Sequence, residues 1–402
     1  MSLSRRWLPW KREFDIQEAI DDLPVGSGPQ GLVWVKEGTY IPGDAITIAD
    51  GNAVILEGAG IGTKIQNNLT DKFIIQLTES EQFACVDNHI RNLQILCNGT
   101  NHGIKLKNTY RTLIENVKIN QPKTGIELET VNWGAGPNGW AEAHCLRNIW
   151  INDPRRYGIK FTKTAGTGSC ALASLDHIFM NLRTSGTDVN PVTGIEVTNL
   201  THADRQFWNH IQMWIDHGVD NLIGAKLDSG MDRTTISNFY IENQWQTTTP
   251  TNLIGLLLTA NFSGEVTWVN MPVFYAYGDQ YWTYKIRNLS TKKQLFHTSA
   301  LMGDYFSVLR VNPETMAVEI ISDFGINATP IMRILGPNHY AKLNVLQNDG
   351  TELLRVGTDT NKYFDLLNAE NLRMFSDLTT MKFQIEGATG RTHVYGIPEW
   401  TV

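Results

Sequence analysis

The sequence predicts an all-β chain built mainly as a right-handed, single-stranded parallel β-helix, and three observations carry that expectation. The first is a recurring apolar-x-Asn-apolar-x-apolar pattern. It runs Ile90-Arg91-Asn92-Leu93-Gln94-Ile95, then Ile114–Ile119, Leu146–Ile151 and Ile236–Ile241, and two more copies, Leu175–Met180 and Trp208–Met213, carry His177 and His210 at the Asn place. The second is a Gly-apolar-x-apolar pattern alternating with it. It begins at Gly103, Gly125, Gly158, Gly194, Gly224 and Gly255, with spacings of 22, 33, 36, 30 and 31 residues. The third is composition: only 19% of the 402 residues are charged, while 34 are Gly and 33 are Asn, against an average of about 25% charge. Each pattern reads as a short strand with period-two alternation, entered through a turn residue. Gly and Asn tolerate positive φ, so both are expected at corners. A unit of 22–36 residues cannot bury its apolar face alone. Stacked units can, with strands of successive coils pairing in parallel about 4.8 Å apart. A leucine-rich repeat would keep a stricter period, and a propeller would need longer blades.

Taken in order, residues 1–30 read as an N-terminal attachment segment and a capping helix. Met1–Lys11 holds Trp7, Trp10 and several basic residues suited to docking on a larger particle. Asp15-Ile16-Gln17-Glu18 matches a capping box. Ile16, Ala19, Ile20 and Leu23 then follow helical spacing until Pro24, which suits a short amphipathic helix closing the open end of a solenoid. Residues 31–295 form the expected β-helix, opening with strand-like Leu32–Val35, Gly38–Ile41, Ala45–Ile48 and Ala53–Gly58. Residues 296–402 read as a β-rich stem or trimerisation region. Strand-like Phe306–Val311, Met316–Ile321, Ala341–Leu346, Leu353–Val356 and Met381–Ile385 alternate there with turn signals such as Asn348-Asp349-Gly350. Such meanders hold little core per chain, and three intertwined copies would supply it, so a homotrimer is expected.

The stretch Ile16–Ile65, with its IQEAIDDLP, GLVWVKEGTY, ITIADGNAVILEGAG and GTKI segments, resembles the opening of the pectate-lyase-like (pectin-lyase-like) β-helix superfamily, as found in many phage tailspikes. The resemblance extends from residue 14 to about 290. The segment NDGTELLRVGTDTN, from Asn348, is similar to stem repeats of trimeric phage fibres and spikes. These resemblances imply a virion-associated tailspike- or fibre-type protein that binds a cell-surface polysaccharide for host attachment. They also imply a polysaccharide depolymerase, a glycoside hydrolase rather than a lyase, as one alternative, and a purely structural fibre or decoration protein as another. The implied partners are the glycan, two further copies of the chain, and other tail proteins through the N-terminus.

Other classes are disfavoured. The formal net charge of −7 leaves no basic footprint for nucleic acid. No apolar run reaches membrane-spanning length, and Met1–Pro24 lacks the apolar core of a secretory signal. Synthesis in a cytosol is therefore expected, and the resemblance implies display on a virion surface. The four cysteines are widely spaced with no CxxC pair, so they read as buried free thiols. No cofactor and no metal set is expected.

Two residue classes point to a glycan. Exposed indoles give sugar rings an apolar platform, and the candidates are Trp133, Trp140, Trp208, Trp214 and Trp245. Trp133 and Trp140 belong to a Gly/Pro-rich insert and are expected on a loop. Trp150, Trp208 and Trp214 lie on strands, where simple packing is the alternative. The candidate catalytic acids are Asp204, Asp216, Asp228, Asp232 and Glu242. Glycoside hydrolysis needs two carboxyls about 5–5.5 Å apart for retention or about 6.5–9.5 Å for inversion. Neighbouring coils could bring together Asp204 with Asp232, or Asp216 with Glu242; solvated surface carboxylates are the alternative. Trp214-Ile215-Asp216-His217 resembles the WIDH motif of pectate lyases, but the Arg-x-Pro-x-x-Arg of that family is absent. The polygalacturonase residue set is not assembled either. His177 and His210 are expected as hydrogen-bonded residues of a stacked corner.

Overall fold

The computed structural model describes residues 15–23, 31–49, 53–78, 86–131, 138–164, 167–183, 191–215, 221–243, 252–264, 266–269, 273–276 and 283–290, together with the later strands named below. Two long parallel sheets face each other across one core. The first has 13 strands, and its main path runs through Gly31–Val35, Val54–Gly58, His89–Leu96, Leu113–Asn120, Cys145–Asn152, Ser174–Leu182, Phe207–Ile215, Thr234–Asn243, Val266–Val269 and Leu295–His297. The second has nine strands: Ile46–Ile48, Phe73–Thr78, His102–Lys107, Thr124–Thr130, Tyr157–Lys163, Val192–Thr198, Leu222–Asp228, Leu253–Leu258 and Tyr284–Asn288. Strands alternate between the sheets along the chain, and each pairs in parallel with its equivalent one coil away. This is an all-β parallel solenoid, as the two sequence patterns imply.

The Asn pattern builds the first sheet and the Gly pattern the second. Register is held from coil to coil. Leu93, Val117, Ile149, Ile178, Ile211 and Phe239 stack in one interior row, and Ile95, Ile119, Ile151, Met180, Met213 and Ile241 in another. All twelve are no more than 1% exposed. Each burial is worth about 1.5–3 kcal/mol, and none is available to an isolated coil.

The two turn residues act for different reasons. Asn92, Asn116, Asn148 and Asn238 sit at φ of 57, 54, 53 and 52°, and His177 and His210 at 54 and 52°. Each bends its strand through one left-handed residue, the conformation Asn accepts more readily than other non-glycine side chains. The repeat glycines differ from the sequence expectation: none of Gly103, Gly125, Gly158, Gly194 or Gly224 has positive φ. They are required by close approach. A Cβ on Gly158 would lie 2.5 Å from the Gly194 carbonyl oxygen and 2.6 Å from Met180 Sδ, and one on Gly194 would meet the Gly224 oxygen and Met213 at the same distances. The interior residues of the first sheet pack onto this bare strip.

At the N-terminal end, the helix Ile16–Asp21 is capped by Asp15, whose carboxylate accepts from the Gln17 N–H. Ile16 and Ile20 point into the core. Gln17 also closes the open edge of the second sheet, accepting from the Thr47 N–H at 2.6 Å and donating to its carbonyl at 3.0 Å. That satisfies a strand edge that would otherwise invite pairing.

The chain divides into two compact units, residues 1–321 and 322–402. Among the described residues, parallel pairing ends with Leu295–His297, and beyond it the first unit contains one antiparallel pair, Val308–Val311 with Val318–Ile321. The second unit holds two three-stranded antiparallel sheets: Ala341–Leu346, Glu352–Thr358 and Lys362–Leu366, then Asn371–Phe375, Met381–Glu386 and Thr392–Val394. Among the described residues, no helix is long and apolar enough to cross a membrane. Cys97, Cys145 and Cys170 are free thiols, with Cys170 buried; Cys85 lies outside the described residues.

Candidate functional site

After the left-handed bend, the strands of the first sheet alternate inward and outward, and the outward positions form two adjacent rows. One row is Gln94, Lys118, Trp150, Phe179, Gln212 and Tyr240. The other is Leu96, Asn120, Asn152, Asn181, Trp214 and Glu242. Coil spacing near 4.8 Å sets the distance along a row, and two residues of strand separate the rows.

The middle of this face is aromatic. The ring centroids of Trp150 and Phe179 are 4.3 Å apart, and those of Phe179 and Trp214 are 4.6 Å apart, edge to face. Trp150 is 44% exposed despite these contacts. Its Nε1–H donates to Asn152 Oδ1 at 2.5 Å, which fixes the indole orientation. Asn152 in turn donates to Asn120 Oδ1 at 2.8 Å, and Lys118 Nζ lies 5.7 Å from the Trp150 ring centroid. Beyond Trp214, the Tyr240 hydroxyl donates to Glu242 Oε2 at 3.3 Å. The face thus combines apolar ring surfaces with amides, one cation and one carboxylate, on a rigid sheet.

The outer face of the second sheet is different. Its central row is Gln76 followed by Lys105, Glu127, Lys160, Glu196 and Lys226, and these five alternate in sign. Lys105 lies 3.2 Å from Glu127 and 2.6 Å from Glu129, and Lys226 lies 3.4 Å from Glu196. Burial alone would lower the Lys105 ammonium, but Glu127 and Glu129 hold it above its ordinary value. Burial likewise favours a protonated Glu129, and Lys105 and Thr164 outweigh it to hold that carboxyl low. These charges answer one another rather than a ligand.

The sequence candidates fall in several places. Trp214 lies on the aromatic face. Trp208 does not: it is fully buried, stacks on Phe161 with centroids 6.1 Å apart, and donates to Gln206 Oε1 at 2.8 Å. Its expected contact with sugar is therefore corrected to core packing, because it occupies an inward position of the strand. Trp140, expected on a loop, instead belongs to the short strand Asn138–Trp140, which pairs with Thr167–Ser169. Trp133, Trp245 and Asp216 lie outside the described residues.

The remaining acids do not form one cluster. The Leu172 N–H donates to the Asp204 carbonyl and the Arg205 N–H to the Asp232 carbonyl, so Asp204 and Asp232 occupy equivalent corner positions on adjacent coils. Asp204 Oδ2 is 3.7 Å from His202 Nδ1. Asp228 is the last residue of the strand Leu222–Asp228, accepting from Thr198 at 3.2 Å, from Asn261 at 3.3 Å and from Thr259. It lines a cleft of about 540 Å³ with Lys163, Thr201 and Ser229. Glu242 stacks beside Trp214.

Sequence reasoning missed Trp150, Phe179 and Tyr240 as one surface, yet a signal was present. All three occupy the second x of the Asn pattern, an outward place, whereas Trp208 occupies its first apolar place. The other group is at the bend itself, where the sequence predicts the stacking of His177 and His210 but not Asp176 beside them. His177 and His210 stack with centroids 4.6 Å apart and ring planes 13° apart. Asp176 Oδ1 lies 3.0 Å from His177 Nδ1 and accepts from Asn209 Nδ2 at 3.0 Å. Burial favours the protonated carboxyl of Asp176, but His177 and Asn209 hold it below its usual range. Ligand atoms of Asp176, His177 and His210 all lie within 4.8 Å of one another.

No family model matches the chain, and no curated protein matches it. Solved structures do. The phiAB6 tailspike, determined with oligosaccharides of Acinetobacter baumannii surface polysaccharide, is 13% identical, with 96% of this chain and 70% of that chain covered and a TM-score of 0.41. ORF18 of Geobacillus virus E2 is 13% identical, covering 95% and 82%, with a TM-score of 0.38. A polygalacturonase from Erwinia carotovora is 12% identical, covering 72% and 100%, with a TM-score of 0.32.

Proposed function

We propose that the outer face of the first sheet binds an extended cell-surface polysaccharide, and that the chain acts as a virion-associated spike or fibre in host attachment. The observation that carries this reading is the aromatic and amide surface of Trp150, Phe179, Trp214, Asn120 and Asn152. Sugar rings present apolar C–H faces and a rim of hydroxyls; indole and phenyl rings receive the first, and amides the second. The sheet holds these groups at fixed spacing, so little side-chain ordering opposes binding. On the same reading, residues 296–402 join three copies and the N-terminal segment docks on the particle.

Binding to host envelope polysaccharide, measured on a glycan array and by titration, is the test. Trp150→Ala is expected to weaken binding about fivefold or more, in line with the roughly 1–3 kcal/mol found for one lost base-stacking aromatic. Trp34→Ala, an exposed tryptophan on the first strand of the sheet, is expected to leave binding unchanged. Equal effects from both substitutions would sink the assignment.

A depolymerase on the same scaffold is the second reading, and the Asp204–Asp232 stack supports it. Equivalent residues one coil apart are about 4.8 Å apart, close to the separation a retaining glycosidase uses. Release of reducing sugar from host polysaccharide, abolished by Asp204→Asn and by Asp232→Asn, is its expected signature.

A further inference from the structure

We infer that Asp176, His177 and His210 form a binding site for a borderline transition-metal ion, Cu²⁺ or Zn²⁺, at the bend of the first sheet. This goes beyond glycan binding and stands whether or not the aromatic face holds a sugar.

The argument starts from the coil. Four of the six bend positions carry Asn, and the first three form a surface ladder: Asn116 donates to Asn92 at 2.9 Å and Asn148 to Asn116 at 2.6 Å. On the next two coils the residue is His. A parallel solenoid repeats backbone orientation at each coil, so two histidines at the same left-handed position leave the bend in the same direction. Their rings come to rest face to face, both exposed. A metal lies in the plane of each imidazole it binds, so the two exposed rings leave this stack by side-chain rotation to reach one ion, as two histidines one turn apart on a helix do for zinc.

A third donor is already in place. Asp176 Oδ1 and His177 Nδ1 are 3.0 Å apart, the separation expected of two ligands at right angles around one ion with bonds near 2.1 Å. His210 lies within the same 4.8 Å group. Asp176 is itself positioned. Asn209 donates to it at 3.0 Å, and Asn209 Oδ1 accepts from Ser237 at 2.8 Å and Asn238 at 3.0 Å. Such outer partners orient metal ligands and are felt in affinity.

Two imidazoles and one carboxylate suit Cu²⁺, Ni²⁺ or Zn²⁺ and give Ca²⁺ or Mg²⁺ too few oxygens. With His177 60% exposed, the remaining coordination positions face solvent, and the ion can enter without opening the fold.

The test uses the full chain, titrated with Cu²⁺ and Zn²⁺ by calorimetry and loaded with Cu²⁺ for electron paramagnetic resonance. The wild type is expected to show one site with couplings from two imidazole nitrogens. The double substitution His177→Asn with His210→Asn restores the residue used elsewhere in the ladder, so thermal unfolding should be unchanged while that equivalent and its couplings disappear. Asn209→Ala should keep the stoichiometry and weaken binding about tenfold. An unchanged stoichiometry and spectrum in the double variant would overturn the site, as would a wild-type chain with no affinity tighter than about millimolar. Should the double variant lose stability, His210→Asn alone decides between loss and retention of the second imidazole coupling.

Discussion

The two long sheets share one core and one coil spacing, yet their outer faces are made differently. On the second sheet, Lys105, Glu127, Lys160, Glu196 and Lys226 alternate in sign. In a parallel stack every residue faces its equivalent one coil away, so equal charges would repel at each step, and alternation removes that cost. A face satisfied in this way has little left to offer a ligand, and its ion pairs add little stability individually. On the first sheet, the corresponding positions carry Trp150, Phe179, Gln212 and Tyr240. The rings of Trp150 and Phe179 contact each other along the stack, Phe179 meets Trp214 of the neighbouring row, and Trp150 still leaves surface open. The same repeat therefore yields one self-paired wall and one receptive wall.

The strips at which the sheets turn or meet repeat the contrast. The bend of the first sheet needs a backbone conformation, whereas the glycine strip of the second needs absence of volume. The largest effect should follow from challenging the second. Gly194→Ala places a methyl 2.5 Å from a backbone oxygen and 2.6 Å from Met213 Sδ, and overpacking of a tight core costs roughly 1–3 kcal/mol or more. We expect urea unfolding to register a loss above about 3 kcal/mol, because the oxygen belongs to a paired strand and cannot retreat. Gly43→Ala, with nothing within 4 Å, should change stability by less than about 0.5 kcal/mol. Equal outcomes for the two would refute the close-approach account.

A second test separates interior from exposed histidines. Burial pushes His144 down to about 3, and partial burial with the nearby Lys123 and Lys105 pushes His102 to about 4. An unfolded imidazole binds its proton near pH 6.5. Between those values the unfolded chain holds more protons, so stability falls as pH drops below about 6.5 and continues falling toward 3. His144 Nδ1 accepts from the Thr112 N–H at 3.2 Å, an interaction that the amide oxygen of Asn can reproduce. His144→Asn should flatten the stability profile between pH 6.5 and 4, measured as melting temperature against pH. A slope identical to the wild type would exclude His144 as its source.

The smallest effect belongs to the bend. Asn148→Gly keeps the left-handed conformation at φ 53° and should alter stability by no more than about 0.5 kcal/mol. Asn148→Val forces a branched side chain into that region and should cost about 1–2 kcal/mol. If Gly and Val proved equally harmful, the hydrogen bond to Asn116 rather than the backbone would govern the position.

Much of this was legible in the residues. The two alternating patterns identify strand, inward face and coil, and the capping box before Ile16 marks the helix. The inward and outward places of the Asn pattern even separate Trp208 from Trp150, although tryptophan content alone does not. The role of glycine was not legible, because positive φ and close approach leave the same letter in a sequence. The stacking of His177 and His210, 33 residues apart in the chain, was legible from their shared place in the pattern, but the approach of the Asp176 carboxylate to His177 was not.

Periodicity is a local property: alternation along six residues decides which side chains enter the core, and that much the chain carries by itself. Which residues meet across coils depends on the length of each intervening corner, between 22 and 36 residues of repeat, and a shift of one position would send every side chain to the other face. The tertiary structure decided that register, and with it placed Trp150 against Phe179 and Asp204 beside Asp232.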